Sequence, residues 1–572
     1  MLSRFTYGPT PGEIDKVVKT GLEKWFVQQL DGNLSDDSLN GLLSKYDALT
    51  LSNQQIVARY PKNAVLQRMA IRDGVLNKDS VKTDRKEYKE VLENYRQQHG
   101  LSTEQELSKQ LFSQKVLRAA YSKNQLHEVL TDFWFNHFNV SLTKNQSAQF
   151  IANYERDAIR PNVTGNFSEL LLATAKSPAM LYYLDNFSSV GDGEQVGKKL
   201  MRNVAMQSPA KKKSGLNENY AREVMELHTL GVDGGYTQQD VTEAARILTG
   251  WTVYPMGAYG NAGAVEKLVE RIGEDKLAQR GFVHEGDFLF TPNRHDNGEK
   301  TVLGKHFAAN GGYNDGVELL NMLASHPSTA KFITKKLAVR FVSDNPPASL
   351  LTKMEKTFNH TNGNIRDVLI IMVSSPEFWS SASLREKTKS PFELAISSVR
   401  ALNAEINQPA QLYNWANKMG QRMYAYQAPT GFPDKAQYWI NSGALLTRMN
   451  FGLALASGRI PGVRVDLAAL NHNREPESAA AALTVYSKII MPERNLSTTI
   501  KQLTPMLSQT DLAQKVAAAA AKSMPADSLN NSMIAGDGYV KKRKPAQANA
   551  PDNQMLAQVV GIIIGSPEFQ RR

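Results

Sequence analysis

Two stretches of the chain lie 198 residues apart and repeat one another. Gly165-Asn166-Phe167-Ser168-Glu169-Leu170-Leu171 runs on to Ser177-Pro178, and Gly363-Asn364-Ile365-Arg366-Asp367-Val368-Leu369 runs on to Ser375-Pro376. Each has Gly-Asn, an apolar residue, an acid two positions later, an apolar run and Ser-Pro at the same distance. An acid in the first turn suits the positive end of the helix dipole, and the residue before a proline leaves helical conformation. Each copy therefore reads as a short buried helix with a defined start and stop, followed by a turn. A third, partial copy ends the chain, where Val559–Ser566 leads into Pro567-Glu568-Phe569 as Pro376-Glu377-Phe378 follows the second copy. A repeated helical unit with insertions fits this pattern better than one sheet-built domain.

The expected fold is all-α, a predominantly helical, irregular array with one small β-hairpin. The hairpin is read from Phe288-Leu289-Phe290, a turn around Asn297-Gly298, and Thr301-Val302-Leu303. Thr10-Pro11-Gly12-Glu13 looks like a helix start, and the charged stretch from Lys78 to Gln110 like an exposed helical excursion. The expected organisation is a helical region over 1–252, an insertion with the hairpin over 253–310, and a second helical region over 311–522. A flexible linker over 523–553 and a C-terminal helix over 554–572 that packs back complete it.

Composition narrows the function classes. The chain has no cysteine, which excludes disulfides, thiolate metal sites and cysteine nucleophiles. No stretch approaches the roughly 20 apolar residues of a membrane span. Of the net charge of +11, seven positive charges belong to Lys211–Lys213 and Lys541–Lys544, which sit in loop-like composition and leave +4 for the rest. No helix-turn-helix, zinc-finger or aromatic stacking motif accompanies them, so specific nucleic-acid binding is not expected.

Several segments carry a family likeness. They are Arg4-Phe5-Thr6-Tyr7-Gly8-Pro9-Thr10; Asn136-His137-Phe138 with Tyr183-Leu184-Asp185-Asn186; and Asn217-Glu218-Asn219-Tyr220-Ala221-Arg222-Glu223-Val224-Met225-Glu226-Leu227-His228-Thr229-Leu230-Gly231. His295-Asp296-Asn297-Gly298, Gly431-Phe432 and Arg448-Met449-Asn450-Phe451 extend it. Across nearly its whole length the chain resembles the bacterial family called domain of unknown function 1800. The resemblance implies an exported protein, periplasmic or extracellular, whose signal peptide is absent from this sequence. It brings no reaction and no cofactor, and it leaves open a polymer or protein partner in the cell envelope.

The residues suggest where chemistry would sit. Asn217 to Leu230 is helical by pattern, and at about 100° per residue Asn217 and His228 differ by only about 20° around the axis. Such a helix shows Asn, Glu, Arg and His where a core helix is apolar. One reading is acid–base catalysis, with Glu218 or Glu223 as the carboxylate, His228 as proton shuttle and Arg222 as anion clamp. A second is a metal site drawn from His137, His228 and His295 with Asp185 or Asp296. A third is a structural network with a Glu218–Arg222 salt bridge. Asn136, His137, Asp185, Asn217, His295 and Asp296 are the candidate binding groups. Buried polar groups must satisfy one another. His137, His228 and Asp185 are therefore expected to converge with Glu218 and Arg222, with His295 approaching from the hairpin. The best functional expectation is a hydrolase-type enzyme acting on an envelope or extracellular polymer; the alternative is a non-catalytic scaffold or binding protein.

Overall fold

The computed structural model describes residues 1–77, 85–144, 146–191, 215–256, 263–492, 494–509, 511–523 and 554–572. Both lysine runs and nearly all of the expected linker lie outside these residues.

The two repeat copies meet in space. Asn166 and Asn364 form an isolated antiparallel bridge. Phe167 N donates to Gly363 O at 2.9 Å and Ile365 N to Gly165 O at 3.0 Å, so the two helix starts cross-link. The helices Phe167–Lys176 and Ile365–Ser374 each stop at the serine before a proline. That proline opens a second short helix, Pro178–Tyr183 in one copy and Pro376–Trp379 in the other. Phe167 and Ile365 are both fully buried, so the shared Gly-Asn motif orients two apolar helices into one interior.

The molecule is mostly helical, with small sheets. One hydrophobic core includes residues from Phe5 to Phe569 and draws on both helical regions. The charged stretch after Lys78 contains the helix Arg85–Gln98, whose Leu92 and Tyr95 pack on Leu66 and Ala70 in a small satellite core. The partial third copy forms the helix Gln554–Gly565, which lies against Ser442–Ala456. Contact there is close: a Cβ on Gly452 would stand 2.8 Å from Gly561 O.

The β pairing differs from the expected hairpin. Phe288–Phe290 is the centre of a three-stranded antiparallel sheet between Val283–Glu285 and Trp251–Val253. Lys300–Val302 pairs instead with Lys305–Phe307, across a tight turn at Leu303 (φ 51°) and Gly304 (φ 77°). Phe288, Leu289 and Phe290 are all buried. A strand buried on both faces has no alternation to fix its register or choose its partner, and it pairs with the strand just before it and with a remote one rather than with the run at Thr301–Leu303.

Candidate functional site

His137 and His228 come together, 6.1 Å apart between ring centroids. His137 ends the helix Gln125–His137, whose Trp134 is buried on the same side. His228 stands in the last turn of the helix that begins at Asn219, where backbone carbonyls have no partner within the helix. His137 Nε2 donates to the His228 carbonyl at 3.0 Å. A carbonyl only accepts, so this bond fixes the tautomer: Nε2 carries the proton and Nδ1 offers a lone pair. Lys336 Nζ donates to that Nδ1 at 2.9 Å. His228 Nε2 is buried without a hydrogen-bond partner among the described residues.

The electrostatics follow from burial. Burial holds the His137 imidazole well below its ordinary value, and Lys336 and His228 add to the effect. His228 is pushed down to about 3 by burial and then by Lys336. Burial also brings the Lys336 amine down to about 8, with Asp434 opposing. Both imidazoles are neutral at ordinary pH, and Lys336 titrates near it.

The helix bearing His228 is not a uniform α-helix. Asn219–Glu223 is α-helical, but Val224–Thr229 is a π-helix, with Leu230 N bonded to Met225 O at 2.8 Å. The extra residue in this turn changes the angular spacing, so a count of 100° per residue does not carry from Asn217 to His228. Asn217 Oδ1 instead accepts from Asn219 N, holding the helix start.

The single cluster expected from the sequence is therefore divided. Glu218 pairs with Arg222 at 3.1 Å and accepts from Gln238 and Thr242; these hydrogen bonds lower its carboxyl, Thr242 contributing most. Ten residues separate it from His228 along the helix, on the order of 15 Å. Glu223 is half-buried, and its carboxyl is raised by burial and by Glu226. Asp185 pairs with Lys144 at 2.7 Å, and its carbonyl accepts from Asn217. Asp296 pairs with Arg246, while His295 lies against Thr249 and Lys300. His295 is thus remote in its bonding from His137 and His228. Among the described residues no three His, Asp or Glu side chains gather as a metal site would require.

Asn136 holds a strap. Its Nδ2 donates to Phe432 O at 2.8 Å and its Oδ1 accepts from Phe432 N at 2.7 Å. Asn139 Nδ2 donates to the carbonyls of Tyr426 and Ala428. The backbone approaches so closely that a Cβ on Gly431 (φ 69°) would lie 2.1 Å from Asn136 O. Gly431→Ala is accordingly expected to cost more than the 1–2 kcal/mol of a left-handed alanine, because the strap must also move. Urea unfolding checks the loss, and limited proteolysis within 424–434 checks the loosened strap.

The strap crosses a buried charge network. Glu155 lies on a second π-helix, Tyr154–Ile159, and accepts from Tyr424 Oη at 2.6 Å and Gln114 Nε2 at 2.9 Å. Lys115 and Arg160 stand 3.4 Å from its carboxylate. Burial raises the Glu155 carboxyl, but Lys115 and Arg160 outweigh it and bring it down to about 2.

On the far side of Pro433 and Asp434 a groove of about 610 Å³ opens between the Pro327–Phe341 helix and Leu230–Asp233. That size is within the range of ligand sites. Lys331, Lys335, Lys336 and Lys435 line it with Phe332 and Tyr438. Lys331, Lys335 and Lys435 are exposed, and Tyr438 is 57% exposed. Lys336 lines this groove while its amine reaches inward to His137, so the imidazole pair and the open groove share one side chain. Lys336 is not among the candidate residues the sequence suggests. Its signal is positional: Thr329, Ile333, Lys336 and Arg340 follow one another at helical spacing, which sets a lysine on the buried stripe.

The family model described as "Protein of unknown function (DUF1800)" matches residues 1–571. The chain belongs to the DUF1800 family. No curated protein and no solved structure matches it. Several residues that carried the family likeness have defined structural work in this member of DUF1800. Arg4 donates to Phe378 O and Ser383 O. Arg448 is fully buried and donates to Lys389 O at 3.0 Å.

Proposed function

We propose that the protein is an enzyme acting on an anionic polymer outside the cytoplasm, in the periplasm or beyond, with Lys336 as its acid–base group. The observation that carries this reading is Lys336: it belongs to an open, lysine-lined groove and is bonded to a neutral histidine of fixed tautomer. Lys331, Lys335 and Lys435 supply positive charge along the groove, and Phe332 and Tyr438 supply flat faces for a chain to lie on. An amine that titrates near neutrality matches its proton affinity to working pH, as acid–base catalysis requires. Because His137 Nδ1 takes one N–H of the neutral amine, the nitrogen lone pair is left to face elsewhere.

The expected pH behaviour follows the sign of this shift. If the neutral amine is the working form, the rate rises with pH and levels off above about 8. Lys336→Met should lose on the order of 10²–10⁴-fold in turnover, the usual share of a general base, and should still bind polymer. An unchanged rate in that variant removes Lys336 from the chemistry. Exchanging Lys331, Lys335 and Lys435 for serine should weaken polyanion binding and flatten its salt dependence, read by titration at two ionic strengths.

A scaffold reading has one observation in its favour. His137 and His228 are each only 1% exposed, as members of a structural network would be. Under it the Lys336→Met protein still binds polymer but unfolds at lower urea, because the buried His137 Nδ1 loses its donor.

A further inference from the structure

We infer that the groove takes a polyuronate and cleaves it by β-elimination, with Lys336 removing the proton next to the sugar carboxylate. The inference rests on the proposed function and specifies its substrate and reaction. The hydrogen on the carbon bearing a carboxylate is a weak acid, and its removal needs two things together. The carboxylate must be neutralised by fixed cations, because the departing proton leaves a second negative charge on the same group. A base of near-neutral proton affinity must also stand beside it. The groove supplies the cations on its walls, and the Lys336 side chain lines it with the amine held on His137 at its inner end. Exposed Lys331 and Lys335 are one helical turn apart, Lys435 reaches the groove from the strap side, and Lys336 follows Lys335 in sequence with its amine turned inward.

The competing chemistry, glycoside hydrolysis, uses two carboxyl groups flanking the bond, one as acid and one as base or nucleophile. The groove's carboxylates are Asp233 and Asp434, and Asp434 already lies 3.6 Å from Arg340 Nη1. Cations therefore outnumber free carboxylates along the walls, which favours elimination from an acidic sugar over hydrolysis of a neutral one.

The step balances without a further reactant. The Lys336 lone pair takes the proton from C5 of a 4-linked uronosyl unit, and the C5–H electrons form the C4=C5 double bond. The C4–O bond breaks, and the departing glycosidic oxygen takes a proton from water. The new Lys336 ammonium still donates to His137 Nδ1, since that nitrogen accepts from amine and ammonium alike. It then returns its proton to the hydroxide left by that water. His137 is a positioning residue here: it holds the amine before and after the transfer and touches no substrate.

The test uses the full chain with polygalacturonate and alginate, and a neutral glucan as control. New reducing ends and the ultraviolet absorbance of a C4=C5 unsaturated uronate are followed side by side. Support consists of both signals rising together in wild type, a rate that climbs to a plateau above about pH 8, and at least a 100-fold loss in Lys336→Met. The serine variants at Lys331 and Lys435 should lower kcat as well as raise KM, because the cations they remove meet charge that grows as the proton leaves. Reducing ends without unsaturation would mean hydrolysis, which overturns elimination and leaves the proposed enzyme standing. Binding of uronans without cleavage overturns the inference and favours the scaffold. Failure to bind either uronan overturns the inference, while binding of another polyanion in the same titration keeps the groove assignment. Urea unfolding of each variant separates loss of chemistry from loss of fold.

Discussion

Replacing Glu155 with glutamine is expected to destabilise the protein by about 3–5 kcal/mol, the usual cost of removing one partner from a buried ion pair. The side chain keeps its size, so packing is hardly disturbed. What changes is charge: Lys115 and Arg160 stay buried beside a neutral amide, and Lys115 keeps only Asp132 at 3.1 Å. The same carboxylate accepts the Tyr424 hydroxyl at 2.6 Å, which ties the strap to the π-helix at Tyr154–Ile159. Equilibrium urea unfolding reads the loss. The double variant Lys115→Met, Glu155→Gln should recover part of it, because one of the stranded charges is then gone. A single variant within 1 kcal/mol of wild type would show that the network contributes little to the folded state.

The second large effect is acid instability with two separable stages. His228 is held down to about 3, so between its unfolded value near 6.5 and that figure only the unfolded chain takes up its proton. Its stabilising effect is whole above pH 6.5 and is lost progressively on acidification, on the order of 3 kcal/mol by pH 4. His137 acts in the same direction. Glu155 and Glu393 are each held down to about 2, so their contribution is lost only as pH falls below about 4.5 toward 2. Unfolding free energy measured from pH 7 to 3 should therefore fall first through the histidine window and later through the carboxylate window. Because His228 Nε2 has no partner among the described residues, His228→Leu should make the first stage shallower, leaving the His137 share, and keep the second intact. If the variant keeps the full slope between pH 6.5 and 4.5, some other group controls acid unfolding.

Local and repeated features of the sequence carried over to the structure; long-range pairing did not. The Gly-Asn and Ser-Pro marks of the two copies bound real helices, because each mark acts on its own backbone neighbourhood. A strand buried on both faces hides its partners: Phe288–Phe290 pairs with Val283–Glu285 and Trp251–Val253, not with the run at Thr301–Leu303. The π-turn at Val224–Thr229 has no signature in residue spacing, and it broke the projected alignment of Asn217 with His228. Glu218 and Arg222 pair as their i, i+4 spacing suggests, but on Gln238 and Thr242 rather than beside the histidines. Lys336 was missed because a lysine among Lys331 and Lys335 reads as solvated surface until the buried stripe of its helix is traced.

The packing of Gln554–Gly565 against Ser442–Ala456 also bears on how the chain is made. During synthesis at roughly 5–20 residues per second, the earlier helix leaves the ribosome on the order of ten seconds before its partner. For that interval the surface around Gly452 and Leu453, against which Gly561 packs in the finished fold, lacks its partner helix. Arg572, which bonds to the carbonyls of Arg4 and Arg340, arrives later still. That part of the core is therefore completed only when the later helix docks.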